Sequence, residues 1–385
     1  MRKQKIIGIV IIIVIVLAIL GISNRSIFND NEQVIQDKQQ IKQENLTIDE
    51  KVDKIVASMS QTEKLGQMVM IGIQGTKVDD DSLYMLNQYH MGGVILFDRN
   101  MESPEQVKQL TSDLQAQSNE KVPLFIGIDE EGGDVVRMAE KLTPPPSQKE
   151  IGATGDIEQA KTWAIKTAKS LKDMGINVNF APVADVGSND KRSYSTDTNT
   201  VIDFVRAATE GYQQENIIYS LKHFPGIGKG RVDSHVDSSS IDVAKEVLMA
   251  EDILPFKTII DENDPNDYFI LVSHLKYPAL DEEYPASLSS KIMTDLLRNE
   301  LGYKGIIITD DMEMGAVANH NDFRSIGVKA VKAGVDIVLV CHEYQHQQEV
   351  YLGLLDAVNS GEISQERIDE SVKRIIKVKL LHLYQ

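Results

Sequence analysis

Between Lys222 and His235 the chain reads KHFPGIGKGRVDSH, with two histidines, an aspartate, four glycine or proline breaks and three cations in fourteen residues. The stretch is too rich in glycine for a helix and too charged for a core. Two chemistries use such a set. His223, Asp233 and His235, with Asp129 or Asp310, could ligate a divalent metal that activates water, although the HxH pair usual on the first strand of barrel hydrolases is missing here. Glycoside cleavage is the other use. It needs a carboxylate close to the anomeric carbon and a second group that protonates the leaving oxygen. Asp310 could be the first. His235 could be the second, with Asp233 orienting its ring and adjusting its basicity.

The elements that would position these residues are short apolar runs alternating with helical patterns. Candidate strands are 68–73, 93–97, 124–129, 178–183, 217–223, 268–273, 305–309 and 336–340. They are near-continuous in Ile, Val, Leu and Phe, as parallel strands buried on both faces should be. Helical periodicity lies between them, for example over 157–174, 243–261 and 289–301, and two more helical patterns occupy 343–385. Eight βα repeats predict an α/β fold of the (β/α)8 TIM-barrel type, in a single domain over 47–385. An open doubly wound sheet would want a phosphate-binding glycine fingerprint after an early strand, and GIQG at 72–75 is not one. In a barrel the C-terminal strand ends face the reactive mouth. Here they carry Asp129-Glu-Glu-Gly-Gly, Asp185, Lys222-His223, Ser273-His274, Asp310-Asp311 and Cys341-His342. One acidic residue after a strand is commonly a helix cap. Several converging are harder to explain that way.

Ahead of the barrel, Arg2, Lys3 and Lys5 precede an unbroken apolar run, Ile6 to Ile22. Such a run spans most of a hydrocarbon layer of about 30 Å. Its exit, ILGISNRS, lacks the small-residue pattern of a cleavage site. An uncleaved membrane-anchor helix over 1–26 is therefore expected, with a polar tether at 27–46 and the remainder exocytoplasmic. A cleaved, secreted form is the alternative. Capping boxes at Thr47–Glu50 and Ser60–Glu63 mark the first two helices. The formal charge of −18 across 385 residues argues against nucleic acid as a partner. Cys341 is the single cysteine, which rules out an intramolecular disulfide and a Cys-based zinc site.

Taken together, KHFPGIGKGRVDSH, GIDEEGGDVVRM, NVNFAPVADV, KRSYSTD, EYPASLSSKIMTDLLRNELGYKG and GIIITDDMEMGA closely resemble family 3 glycoside hydrolases. Within them the chain looks like the NagZ-type β-N-acetylglucosaminidases, over about residues 50 to 380. The resemblance implies that Asp310 is the nucleophile of a retaining double displacement. His235 stands at the acid/base position with Asp233 as its partner, and Asp311 would be a cap or local acceptor. Asp129, Arg137, Arg192, Lys222 and His223 fall at sugar-binding positions, where carboxylates accept from hydroxyls and cations donate. The implied substrate is terminal β-linked N-acetylglucosamine, in peptidoglycan fragments or related amino-sugar glycans. No cofactor or metal is implied, and a monomer is expected. A β-glucosidase or β-xylosidase of the same family, or a non-catalytic surface glycan-binding protein, remains as an alternative.

Three departures from the family pattern stand out. Ile227 replaces the second histidine of KHFPGHG, Asp134 replaces an arginine in EEGGDVVR, and the further C-terminal domain of many relatives is not expected. The glycines from Gly226 onward are expected to form a mobile hinge through Val232 that carries His235 in and out of the site.

Overall fold

A computed structural model describes residues 46–118, 122–138, 142–187, 191–230 and 239–384. The chain divides into two units, Met1–Asp53 and Lys54–Gln385, and the second carries the barrel. The expected membrane helix and nearly all of the expected tether lie outside the described residues. Among the described residues no helix is long and apolar enough to cross a membrane.

Eight parallel strands close a barrel: β1 (Val69–Gly72), β2 (Gly93–Leu96), β3 (Phe125–Ile128), β4 (Val178–Asn179), β5 (Ile218–Phe224), β6 (Tyr268–Val272), β9 (Ile306–Asp311) and β10 (Ile337–Val340). The order around the barrel follows the chain, and β1 pairs with β10 through Val69 opposite Val338. Closure excludes the open doubly wound alternative. All eight predicted runs are strands because each is buried on both faces, by the barrel interior and by the outer helices. A small antiparallel hairpin, β7 (Lys276–Tyr277) with β8 (Asp281–Pro285), interrupts the alternation and was not foreseen.

Local chemistry sets the helix starts. Thr47 Oγ1 accepts from Glu50 N at 3.2 Å while Glu50 returns a carboxylate to Thr47 N at 2.8 Å, opening the helix Ile48–Ser58. Ser60 and Glu63 do the same for Gln61–Gln67. Inside the barrel, a Cβ on Gly127 would come within 2.7 Å of both Met70 Cε and the Phe180 ring. The missing side chain is the room those two fully buried residues occupy.

The N-terminal floor is polar and tightly paired. Asp336, wholly buried just before β10, accepts from Arg374 Nη1 at 2.9 Å, Ser371 Oγ at 2.6 Å and Ile307 N at 3.0 Å, and also pairs with Arg298. Ser371 and Arg374 belong to the helix Gln365–His382, which also sends Lys379 under the barrel. There its Nζ donates to Gln67 Oε1 at 2.6 Å and to Gly92 O at 2.8 Å, 4.7 Å from the Phe125 ring centre.

Candidate active site

The site grows from the end of β5. Lys222 is almost fully buried, and its ammonium lies 2.7 Å from Asp129 Oδ1 and 2.5 Å from Glu131 Oε1, both in the loop after β3. Arg192 closes on the same carboxylate from the loop after β4, with Nε to Glu131 Oε2 at 2.8 Å and Nη2 to Oε1 at 2.6 Å, a two-point contact that fixes the guanidinium plane. Burial alone would raise the Glu131 carboxyl. The charges of Lys222 and Arg192 outweigh it and hold the group below the ordinary carboxylate range. Burial likewise works to lower the Lys222 ammonium, yet Asp129 and then Glu131 lift it above the usual lysine value. The centre of the mouth is therefore a fixed, charged lattice.

His223 is the next link. Its Nδ1 lies 2.8 Å from Asp185 Oδ2 and its Nε2 3.0 Å from Arg192 Nη2. Because the guanidinium can only donate, Nε2 accepts and Nδ1–H donates to Asp185, which fixes the tautomer. Asp185 Oδ1 also accepts from the backbone N–H of Ile227 at 2.9 Å. The Lys222–His223 peptide bond is cis.

Across the mouth, Asp310 and Asp311 end β9. The Oδ1 of Asp310 accepts from Asp311 N at 2.8 Å. Asp311 also lines the cavity and accepts from Cys341 N and Glu313 N, each at 3.1 Å, with His342 Nε2 3.3 Å away. It is thus a local acceptor and not a helix cap. His274 braces the same strand end from beneath, with Nε2 2.9 Å from Asp311 O and Nδ1 2.7 Å from Ser287 Oγ. Burial pushes its basicity down, so it is a neutral brace. Arg137 lies 3.5 Å from Asp129 Oδ2 and from Asp98 Oδ2, and its guanidinium sits 5.2 Å from the Phe97 ring centre.

A cavity of about 320 Å³ is lined by Asp129, Arg137, Arg192, Lys222, His223 and Asp310, together with Glu131 and Ile227. Six of the eight residues singled out from sequence therefore meet in one place. Asp233 and His235 lie outside the described residues. The metal alternative drew on these two as well, and among the described residues no group of three His, Cys, Asp or Glu side chains could hold a metal ion. Glu131, which shares both cations, was not singled out from sequence. A glutamate two residues past Asp129 was visible, but nothing in sequence says that Arg192, 61 positions on, closes over it. Asp185 was seen as a strand-end acid but not as the partner of His223.

Over Gly226–Gly230, the described part of the expected hinge, the chain lies against its neighbours. Gly226 O accepts from Tyr277 OH at 2.8 Å, and Gly226 N donates to His223 O at 2.8 Å. A Cβ on Gly226 would lie 2.8 Å from Asp252 Cβ, and one on Gly228 2.1 Å from Val186 O. These glycines serve close approach to neighbouring segments.

Residues 60–378 match the Glycosyl hydrolase family 3 N terminal domain. The beta-hexosaminidase A of Pseudoalteromonas piscicida is 35% identical over 326 residues, covering 77% of this chain and 54% of that protein. A beta-hexosaminidase of Nitrosomonas eutropha is 31% identical over 318 residues, covering 79% and 90%. In structure, a family 3 beta-N-acetylglucosaminidase from Paenibacillus sp. is similar with a TM-score of 0.81 at 37% identity, over 84% of this chain and 62% of that one. The chain thus spans about half the length of the first of these relatives and most of the second. With the barrel, the strand-end residues and the matched span in agreement, the chain belongs to glycosyl hydrolase family 3.

Proposed function

We propose that the chain is a retaining exo-glycosidase that removes terminal β-linked N-acetylglucosamine. The observation that carries this reading is the cavity in which Asp310 faces the Asp129–Lys222–Glu131–Arg192–His223 lattice. Such a lattice offers fixed donors and acceptors to the hydroxyls and acetamide of one sugar. Asp310 attacks the anomeric carbon, and the leaving oxygen takes a proton from His235. Water, giving its proton to His235, then releases the sugar from Asp310. Asp233 orients the His235 ring. The names of the similar proteins, beta-hexosaminidases and a beta-N-acetylglucosaminidase, support the substrate class. The finer substrate we propose is peptidoglycan-derived fragments, reached outside the membrane from an anchor formed by Ile6 to Ile22.

The test compares turnover of chromogenic β-N-acetylglucosaminide and β-glucoside by the full chain. Preference for the first is expected. Asp310→Ala should lower turnover by at least about a thousandfold. His235→Ala should lower it by roughly a hundredfold or more on substrates with poor leaving groups, and by less on activated ones. Activity close to that of the unaltered chain in Asp310→Ala would end the reading.

A further inference from the structure

His342 follows Cys341 at the mouth end of β10, lines the cavity and is half-exposed, yet the reaction proposed above gives it no part. Its Nδ1 lies 3.1 Å from Arg99 Nη1. The guanidinium can only donate, so Nδ1 accepts and Nε2 carries the proton, 3.3 Å from Asp311 Oδ2. The bond to Asp311 is the first cause lifting the ring's basicity above the ordinary histidine value. Both ends of this link are held. Arg99 donates through Nε to Ile73 O at 2.9 Å and through Nη2 to Cys341 O at 2.5 Å, joining the exits of β1 and β10. The His342 ring centre lies 5.4 Å from that of Phe97, and its backbone N–H donates to Glu313. Asp311 uses its other oxygen for Cys341 N and Glu313 N, and its own N–H donates to Asp310 Oδ1 at 2.8 Å. Two donors on one oxygen leave a carboxylate free to swing about that oxygen, whereas an anchor on the second fixes its plane.

We propose that His342 is a positioning residue for the nucleophilic step: through Asp311 it sets the direction of the backbone N–H that aims the Asp310 carboxylate. This rests on the reading of Asp310 as the nucleophile. The bonds of His342 run to Arg99, Asp311 and Glu313 rather than to the sugar lattice. A misdirected Asp310 slows attack on the anomeric carbon while the grip on the sugar stays as it was.

The test measures, for His342→Phe, kcat/KM on two β-N-acetylglucosaminides, one with an activated phenolic leaving group and one with an alkyl leaving group, and Ki for free N-acetylglucosamine. Phenylalanine keeps a ring against Phe97 but offers Asp311 no N–H. A fall of roughly tenfold or more is expected on both substrates, because attack by Asp310 is common to them, with Ki within about twofold. His342→Gln, whose amide can donate to Asp311, should return kcat/KM to within about threefold of the unaltered chain. A Ki that rises with the loss, a fall confined to the alkyl substrate, near-normal activity in His342→Phe, or His342→Gln as slow as His342→Phe overturns the proposal. If His342→Phe does not fold, Asp311→Asn breaks the same link from its other end. It keeps the backbone N–H and an acceptor for Cys341 and Glu313, but sets a second donor against the His342 Nε2–H. The same fall at the same Ki is expected, and undiminished turnover overturns the proposal. Failure of the underlying reading would look different: the unaltered chain would not cleave the activated N-acetylglucosaminide, or Asp310→Ala would still do so.

Discussion

At the scale of single residues, two neighbouring glutamates behave in opposite ways because of who faces them. Glu131 meets Lys222 and Arg192, so its native carboxyl stays ionised below the range where an unfolded one, near 4.3, takes up a proton. Its stabilisation is therefore full above about pH 4.3 and is lost as pH falls toward its depressed native value. Glu131→Gln should flatten the acid limb of Tm against pH. It should also cost about 3–5 kcal/mol at neutral pH, because two cations lose a shared buried partner. Glu130 is buried, its carboxylate accepts from the backbone N–H of Arg137 at 2.8 Å, and burial pushes its carboxyl up to about 7. The native state then holds a proton that the unfolded chain releases between about pH 4.3 and 7, so this contribution falls as pH rises through that window. Glu130→Gln should raise Tm more at pH 8 than at pH 5, and equal shifts at both would refute the assignment. Neither behaviour was legible in EEGG, where the two residues look alike. Their difference comes from Arg192 and Lys222, which only folding brings to Glu131.

Among the elements, the barrel strands were legible because burial on both faces leaves them almost without polar residues. The hairpin β7–β8 was not, since DEEYP carries no apolar alternation and its register shifts between Lys276 and Tyr277. The segment after β5 was legible in composition, but the close approach of Gly226 to Asp252 and of Gly228 to Val186 was not. At the opposite end of the barrel, Asp336 ties β9 and β10 to the helix Gln365–His382. Asp336→Ala strands Arg298 and Arg374 and should cost about 3–5 kcal/mol. Turnover of the folded fraction at low temperature should be unchanged, because the floor serves stability and the mouth serves chemistry. A loss of turnover at unchanged Tm would contradict that division.

For the whole molecule, charge was legible from composition and bears on substrate choice. The net −18 is repeated at the mouth, where among the described residues five lining carboxylates (Asp129, Glu131, Asp134, Asp310 and Asp311) outnumber three cations (Arg137, Arg192 and Lys222). A neutral N-acetylglucosaminide should bind with little dependence on ionic strength. A substrate carrying peptide or muramyl carboxylates should show kcat/KM rising as salt is added up to about 0.15 M, where screening acts within about 8 Å. Falling values would place a cationic surface near the aglycone. Barrel closure has a different consequence, in time. The strand that contains Val69 must wait for the strand that contains Val338, 338 − 69 = 269 residues later. At about 5–20 residues per second, the β1 edge stands unpaired for roughly 13–54 seconds of synthesis. The helix that seals the floor with Lys379 arrives later still. A nascent chain of this topology is an obvious client for holding chaperones, and for the same interval it remains threadable through a translocation pore.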